Sequence, residues 1–535
     1  MKKIITKLSI CTLFVLFLGS CTDDFTELNS DPKNFTADAV TPADLPLFVK
    51  RALYTPDFTP FGNPGDGRGA FQLSHSLFPD IYANYMATTA ANFDSDQFDL
   101  VGRWLNGAYT YFYTQAAPNM KFAEDTSEEL GLAVENAMMK VWRVYGYHRI
   151  TDAYGPIPYL NFGNLENTVP YDSQEAIYND FFTTLDEAVT VFKANAGGTS
   201  FLVGNDIIFE GDVDSWLRFA NSLRLRLAIR IKYANAGKSK TEAEKAISDG
   251  VIVDNAQNAM IPTSNNFRNH YTTITQWGEF RMSADMESIL KGYQDPRIGS
   301  YFAEANMPDP SDDPIGITFN YEGLQNGQLK SAKQGTDFNN MISDMAAPYT
   351  AADTPGPNIV VIGAAEVYFL RAEGALEGWS MGGGTAASYY NQGIDASLSQ
   401  YGYDGTDLSG NDYKTSANVP AAASASLPPV STVPIAYNAA GSAEEQLEQI
   451  ITQKWIALYP NSEEAYAERR RTGYPTLFNR VNSINPLIPV DQIPRRMPYV
   501  SSEYDNNGTA VQEAVSSLLG GPDNGTTKLW WDAKN

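Results

Sequence analysis

Apolar residues recur along most of this chain with a period near 3.6, the spacing that turns one face of a helix toward a core. In "DVDSWLRFANSLRLRLAIRIKYAN", Trp216, Phe219, Ala220, Leu223, Leu227 and Ile231 share one stripe. Asp212 or Asp214 supplies a start signal and "NAGKS" a stop. Arg226 and Arg230 flank that stripe and are expected to reach carboxylates on neighbouring helices. In "SQEAIYNDFFTTLDEAVTVFKAN" the face is Ile177, Phe181, Leu185, Ala188 and Phe192, behind a start marked by Asp172, Ser173 and Glu175. Further helical runs are predicted over 73–89, 96–122, 128–150, 241–249, 284–292, 359–379, 386–401 and 443–471. The fold class is therefore mainly α. Paired helices rich in Ala, Tyr and Leu suggest tetratricopeptide-like helical hairpins, although no strict repeat of about 34 residues is present.

Between the periodic runs lie long irregular loops. Residues 250–282 and 293–358 are rich in Asn, Asp, Gly, Pro and Thr with aromatics interspersed, and 418–434 is a stretch of small residues and prolines. Loops of this length in a compact protein are usually functional or disordered. No composition break divides the body of the chain, so 41–535 is expected to form a single domain.

The N-terminus has a different pattern. Lys2, Lys3 and Lys7 precede an apolar run ending in "LFVLFLGSCTDDF", which has signal-peptide length and falls short of the ~20 residues needed to span a bilayer. Leu18-Gly19-Ser20-Cys21 looks like a bacterial lipobox, in which the cysteine is acylated and becomes the new N-terminus. The alternative is an ordinary secretory signal with an incidental cysteine. Of the two cysteines, Cys11 would leave with the signal peptide, so Cys21 would have no disulfide partner. Its expected use is lipid attachment, by acyl chains of palmitate type, which anchor a protein without a transmembrane helix. The expected organisation is a signal peptide over 1–20, a lipid-anchored tether over 21–40 and the folded body thereafter.

The formal charge of −25, from 63 acids against 38 bases, argues against nucleic acid and against an anionic lipid face. Contact with the membrane is expected through the lipid anchor only. Aromatics make up 12% of the chain, which suits helix packing and also stacking on sugars or peptides.

Six stretches, in order, resemble the SusD/RagB family of nutrient-binding outer-membrane lipoproteins: "DAYGPIPY" (152–159), "AIYNDFFTTLDEAV" (176–189), "WLRFANSLRLRLAIR" (216–230), "ILKGYQDPRI" (289–298), "AEVYFLRAEGAL" (365–376) and "ERRRTGYP" (468–475). The last resembles a divergent branch, whose ligands are less predictable than those of the starch-binding members. The resemblance implies tetratricopeptide-like helices that pack on, and lid, a TonB-dependent SusC-like transporter. It also implies an exposed, loop-built ligand site without catalysis. The acids after Cys21 resemble the surface-export signal of Bacteroidetes lipoproteins, which implies an outer-membrane location facing the cell exterior. No ligand residue of the family is carried over by position.

Reactive constellations are hard to find. His75, His148 and His270 are widely separated and lack His-Glu-x-x-His spacing. "GKS" at 237–239 lacks the glycine and the preceding strand of a phosphate loop. "GDGRG" at 65–69 and the Gly382–Gly384 triplet are not dinucleotide fingerprints. Glu366 and Glu373 share a helix face two turns, or about 10.5 Å, apart, and arginine partners on an adjacent helix are expected rather than glycoside hydrolysis. Aspartates in "PDPSDD" and "YDGTDLSGND" do not match calcium-loop spacing and read as solvated turns. No catalytic residue, metal or cofactor is expected.

Aromatic stacking is the sharper expectation. Trp104, Trp142, Trp216 and Trp455 lie at helical spacing and are assigned to the core. Loop-borne Phe93, Phe267, Tyr271 and Trp277 are the candidate stacking rings, with Asn92, Asn269 and Arg281 as candidate partners for sugar hydroxyls. The function expected is non-catalytic capture of an oligosaccharide, or another oligomeric nutrient, and its delivery to the transporter. The alternatives are a peptide-binding or purely gating transporter subunit, or a glycan-cleaving enzyme on a helical scaffold.

Overall fold

The computed structural model describes residues 41–57, 71–164 and 168–534, so Cys21, the signal peptide and the tether lie outside the described residues, as does "GDGRG". The chain divides into two units, Met1–Leu45 and Pro46–Asn535. In the first, the Asp44 carboxylate accepts hydrogen bonds from the amide and hydroxyl of Thr41, at 3.0 and 2.7 Å.

The larger unit is mainly helical. Its principal helices are α1 (Leu45–Tyr54, which begins at the boundary), α2 (Gly102–Tyr111), α3 (Ala117–Glu129), α4 (Ala133–Tyr154), α5 (Gln174–Ala194), α6 (Val213–Arg230) and α7 (Ala236–Asp249). They continue with α8 (Ala284–Tyr293), α9 (Ala364–Leu376), α10 (Ala386–Gln400), α11 (Ala443–Leu458), α12 (Ser462–Thr472) and α13 (Gly508–Ser517). From α3 to α7 each helix packs on the next, as in stacked helical hairpins; α9 packs on α10 and α11, and α6 joins the two groups through α9. Asp212 caps α6 by accepting the Ser215 amide at 2.8 Å, and Ser173 caps α5 by accepting that of Ala176. Trp142, Trp216 and Trp455 are buried, as periodicity predicts.

Several predicted helices are interrupted where local chemistry opposes them. The 73–89 run holds only a π-turn (Gln72–Ser76) and a short helix (Pro79–Tyr82) before strand β1 (Met86–Thr88). Pro79 cannot donate to the preceding turn, and Asn84, with φ of 56°, turns the chain out of the helical direction. The 359–379 run opens with the β-branched stretch Ile-Val-Val-Ile as strand β4 (Ile359–Ile362), which pairs antiparallel with β2 (Ala259–Ile261). Pro460 splits the 443–471 run into α11 and α12. "NAGKS" also opens α7, because the Asn235 side chain accepts from the Lys238 amide.

The centre of the helical unit is ionic. Arg226 grips Glu366 with two hydrogen bonds of 2.7 Å and donates to the Val361 carbonyl at 2.8 Å. Arg471 grips Glu373 in the same way, with both bonds at 2.7 Å, and also reaches Glu468 at 2.7 and 2.9 Å. Arg230 spans Glu464 and Glu468 at 2.5 Å each and lies 3.3 Å from Asp152. Lys454 lies 3.1 Å from Glu468, and Lys232 lies 2.8 Å from Glu373. Every one of these residues is buried. The arginine partners expected for Glu366 and Glu373 are thus present, and they come from α6 and α12.

A buried charge that loses its partner costs about 3–5 kcal/mol, whereas an exposed pair contributes at most about 1 kcal/mol. Glu468→Ala should therefore lower unfolding stability by about 3–5 kcal/mol in urea. Lys140→Ala, which breaks the surface pair with Glu187 at 2.8 Å, should change it by less than about 1 kcal/mol.

The pH dependence has two limbs. Burial alone would raise Glu373 and Glu464, but the charges of Arg471 and Lys232 on one, and of Arg230, Arg226 and Lys454 on the other, bring both down to about 2. Their stabilisation is present above the unfolded value of about 4.3 and is lost as pH falls toward 2. Burial pushes Asp80 and Asp152 up to about 6, so their contribution is complete below about pH 3.9 and is lost as pH rises through 6. Thermal unfolding measured from pH 2 to 7 should therefore show a midpoint that is highest between about pH 4 and 5.

Candidate ligand-binding surface

Strand β1 pairs antiparallel with β3 (Phe280–Met282), placing Met86 opposite Met282 and Thr88 opposite Phe280. The pairing continues past the strand ends, where the Thr89 amide donates to the Glu279 carbonyl at 2.9 Å and its hydroxyl to the Gly278 carbonyl at 2.7 Å. Two irregular loops, 89–101 and 275–279, are thereby held at one end of a single strand pair. Gly278, with φ of +66°, allows the sharp turn from the 3-10 helix Thr275–Trp277 into β3.

Aromatic rings gather at this end. Phe93 lies nearly parallel to Phe280, with ring centres 5.7 Å apart and planes inclined by 17°, and meets Trp104 edge-on at 5.8 Å. Phe93 and Trp104 are half-buried, and the Arg103 guanidinium lies 5.4 Å from the Trp104 ring. Trp277 is 43% exposed, and among the described residues its indole N–H has no acceptor. Polar groups surround the rings. Asn92 is exposed, the Asn339 side chain accepts from the Thr89 hydroxyl at 3.2 Å, and Gln72 donates to the Glu279 carboxylate at 2.6 Å. Burial raises the Glu279 carboxyl above its usual range. A π face beside amide and carboxylate groups suits the C–H face and hydroxyls of a sugar.

Of the residues singled out from the sequence, Asn92, Phe93 and Trp277 lie in the two loops at this end. Arg281 lies on β3, but its guanidinium is turned inward: it donates to the Phe280 carbonyl at 2.8 Å and lies 3.3 Å from Asp344. Phe267, Asn269 and Tyr271 are elsewhere and buried, each for a local reason. Phe267 packs on Tyr54 with ring centres 4.0 Å apart. Asn269 donates to the Pro357 carbonyl at 3.0 Å, and the Tyr271 hydroxyl donates to Asp80 at 2.9 Å. Trp104, assigned to the core by periodicity, is only half-buried, because it lies in the first turn of α2 where the loop from β1 enters. Phe280 was not foreseen; its only sequence signal is the aromatic-rich stretch "WGEFR".

Asn269 and Tyr271 do line an interior cavity of about 230 Å³, walled also by Tyr349, Tyr401 and Tyr459. This is below the roughly 300–1,000 Å³ of typical small-molecule pockets. An extended oligomer needs a more open surface, of the kind the rings offer.

Conventional reactive groups are occupied. The His148 ring bonds the Tyr145 carbonyl at 2.6 Å, and burial pulls His148 down to about 3. The His75 ring stacks on Phe71 at 4.2 Å and lies 3.4 Å from Glu463. In the two acidic loops, Asp312 pairs with Lys291 at 2.8 Å, and Asp404, Asp407 and Asp412 accept backbone amides of their own turns. Among the described residues no group of three or more His, Cys, Asp or Glu is placed to hold a metal ion. Nor, among them, is any helix long and apolar enough to cross a membrane.

A family model described as SusD-like, Susd and RagB outer membrane lipoprotein, matches residues 28–532. Among curated proteins no relative matches. Solved structures do. A chitin-binding SusD homologue from Flavobacterium johnsoniae is 36% identical with a TM-score of 0.81, covering 92% of this chain and 99% of its own. A SusD homologue from Bacteroides vulgatus is 30% identical with a TM-score of 0.81, covering 91% and 98%. One from Bacteroides uniformis is 32% identical with a TM-score of 0.78, covering 92% and 99%.

Proposed function

The chain belongs to the SusD and RagB family of outer membrane lipoproteins, and on that premise we propose that it is a non-catalytic capture protein that binds an oligosaccharide and hands it to a partner transporter of the SusC-like, TonB-dependent type. The observation that carries this reading is the exposed Trp277 ring in one loop and the Phe93–Trp104 pair in the other, both held at one end of the β1–β3 pairing. A π face left open to solvent costs apolar exposure and gains little for the fold, whereas it offers a ready stacking surface. Absence of catalysis is supported by the two carboxylates on α9: Glu366 and Glu373 are buried, and each has both oxygens gripped by an arginine, Arg226 and Arg471. The chitin-binding relative makes chitin oligosaccharides the first ligands to test.

Two experiments test the reading. In calorimetric titration of the protein with chitin oligosaccharides, product analysis should find no cleavage, and Trp277→Ala or Phe93→Ala should weaken binding by about 3- to 10-fold, the value of one aromatic contact. Unchanged affinity in both variants would remove this surface from consideration. Anchoring is tested at Cys21: Cys21→Ala should move the protein from the membrane fraction to the soluble fraction without altering its circular dichroism. Retention in the membrane after a high-salt wash would exclude the lipid anchor.

A further inference from the structure

The stretch Glu468–Pro475, "ERRRTGYP", is only partly absorbed by the ionic core. Glu468 and Arg471 belong to it. Arg470 is satisfied by carbonyls and rings: it donates to the carbonyls of Asp152 and Arg495 at 2.7 and 3.1 Å, and lies 4.1 Å from the centre of the Tyr466 ring. Arg469 is different. It is half-buried in the last turn of α12, and its Nη1 donates to the Tyr82 carbonyl at 3.0 Å and the Asn84 side chain at 3.1 Å. Among the described residues its Nε and Nη2 have no acceptor, and no carboxylate pairs with it.

Arg469 lines a pocket of about 240 Å³, together with Arg480, Asn84, Phe98 and the backbone around Pro475–Asn479. Arg480 is 5% exposed and also lacks a full set of acceptors. Its Nη2 donates to the Ile81 carbonyl, while its Nη1 makes no hydrogen bond. Arg480 Nη1 forms a loose ion pair with Asp96 Oδ1 at 3.6 Å, while the other oxygen of Asp96 serves the Gly327 amide at 2.9 Å and Lys333 at 3.1 Å. Asp285, whose charge acts on both arginines, has its own oxygens taken by Asn84 at 2.6 Å and the Phe478 amide at 2.7 Å. Asp491 lies at the exposed rim and pairs with neither. Burial, with the like charge of Arg480, lowers Arg469 to about 10 despite the pull of Asp285. The pocket thus brings together Arg469, which has no pairing carboxylate among the described residues, and Arg480, which is held only by the loose pair with Asp96, and it shares none of the rings of the aromatic surface.

We propose that this pocket binds the carboxylate of a small acidic ligand, with Nε and Nη2 of Arg469 as a bidentate fork and Arg480 as the second charge. A planar guanidinium with two parallel free donors matches a carboxylate's two oxygens, and a charge-assisted pair of this kind is among the stronger hydrogen-bonding arrangements. The volume suits a single acidic sugar or a compact organic acid.

The test is calorimetric titration of the full chain in detergent with glucuronate, using glucose as the neutral match. The expected result is saturable one-to-one binding of glucuronate, none of glucose at the same concentrations, and a loss of about tenfold or more in Arg469→Gln. Arg469→Lys keeps the charge but not the fork, and should bind more weakly than the natural chain while unfolding at the same temperature; it decides the matter should Arg469→Gln not fold. Failure of the natural chain to bind glucuronate, equal binding of glucose, or undiminished affinity in Arg469→Lys would overturn the proposal.

Discussion

The interaction on which the rest of the structure depends is the buried charge array centred on Glu468. In a low-dielectric interior each of its charges is tolerable only because the others are in place, and the array is balanced. Asp152, Glu366, Glu373, Glu464 and Glu468 face Arg226, Arg230, Lys232, Lys454 and Arg471. Apolar side chains tolerate sliding of one helix past another, but two-pronged bonds of 2.7 Å do not. The array therefore sets how α6, α9, α11 and α12 lie against one another. It also reaches outward. Arg226 holds the Val361 carbonyl of β4, and Asp152 accepts from the Tyr178 hydroxyl on α5 and from the Trp531 indole near the C-terminus, at 2.6 and 2.8 Å.

The aromatic surface is fastened to this array through α11. The Trp455 indole donates to the Ala83 carbonyl at 2.9 Å, and the Tyr85 hydroxyl donates back to the Trp455 carbonyl at 2.5 Å, fixing the segment that enters β1. At the other strand, the Ser283 hydroxyl donates to the Asn84 carbonyl at 2.5 Å and accepts the Met286 amide, capping α8 as β3 ends. The strand pair is short, yet both of its strands are tied to helices of the core at the end opposite the two loops. Loops that would be mobile alone are thus given a rigid base, which is what a preorganised binding surface requires.

Much of the helical frame is legible in the sequence because its signals are local. The stripe of α6, its Asp212 cap and the demand of Arg226 and Arg230 for carboxylates are all contained in one stretch. The identity of the carboxylates is not, since Glu464 and Glu468 lie 234 and 238 residues further along the chain than Arg230. Helix limits fail where a proline or a β-branched run competes with periodicity, as at Pro460 and Ile359–Ile362. For the site, Phe93, Trp277, Phe267 and Tyr271 look alike as loop aromatics. What separates them is tertiary: Tyr54 covers Phe267 and Asp80 holds Tyr271, whereas Trp277 stays 43% exposed. Trp104 failed in the opposite sense, because a ring at helical spacing can still lie at a helix's exposed start.

The two edges of the aromatic surface come from distant parts of the chain; the Thr88 hydroxyl donates to the Glu279 carbonyl across 191 residues of sequence. Neither loop alone carries the aromatic surface, so that surface exists only once the intervening helices have stacked and the strands have met. An unfolded or half-synthesised chain therefore lacks the face that the proposed capture role needs. For the same reason the two loops form an exchangeable head on a fixed frame: their tips can be rewritten without touching a residue of the charge array that holds the frame together.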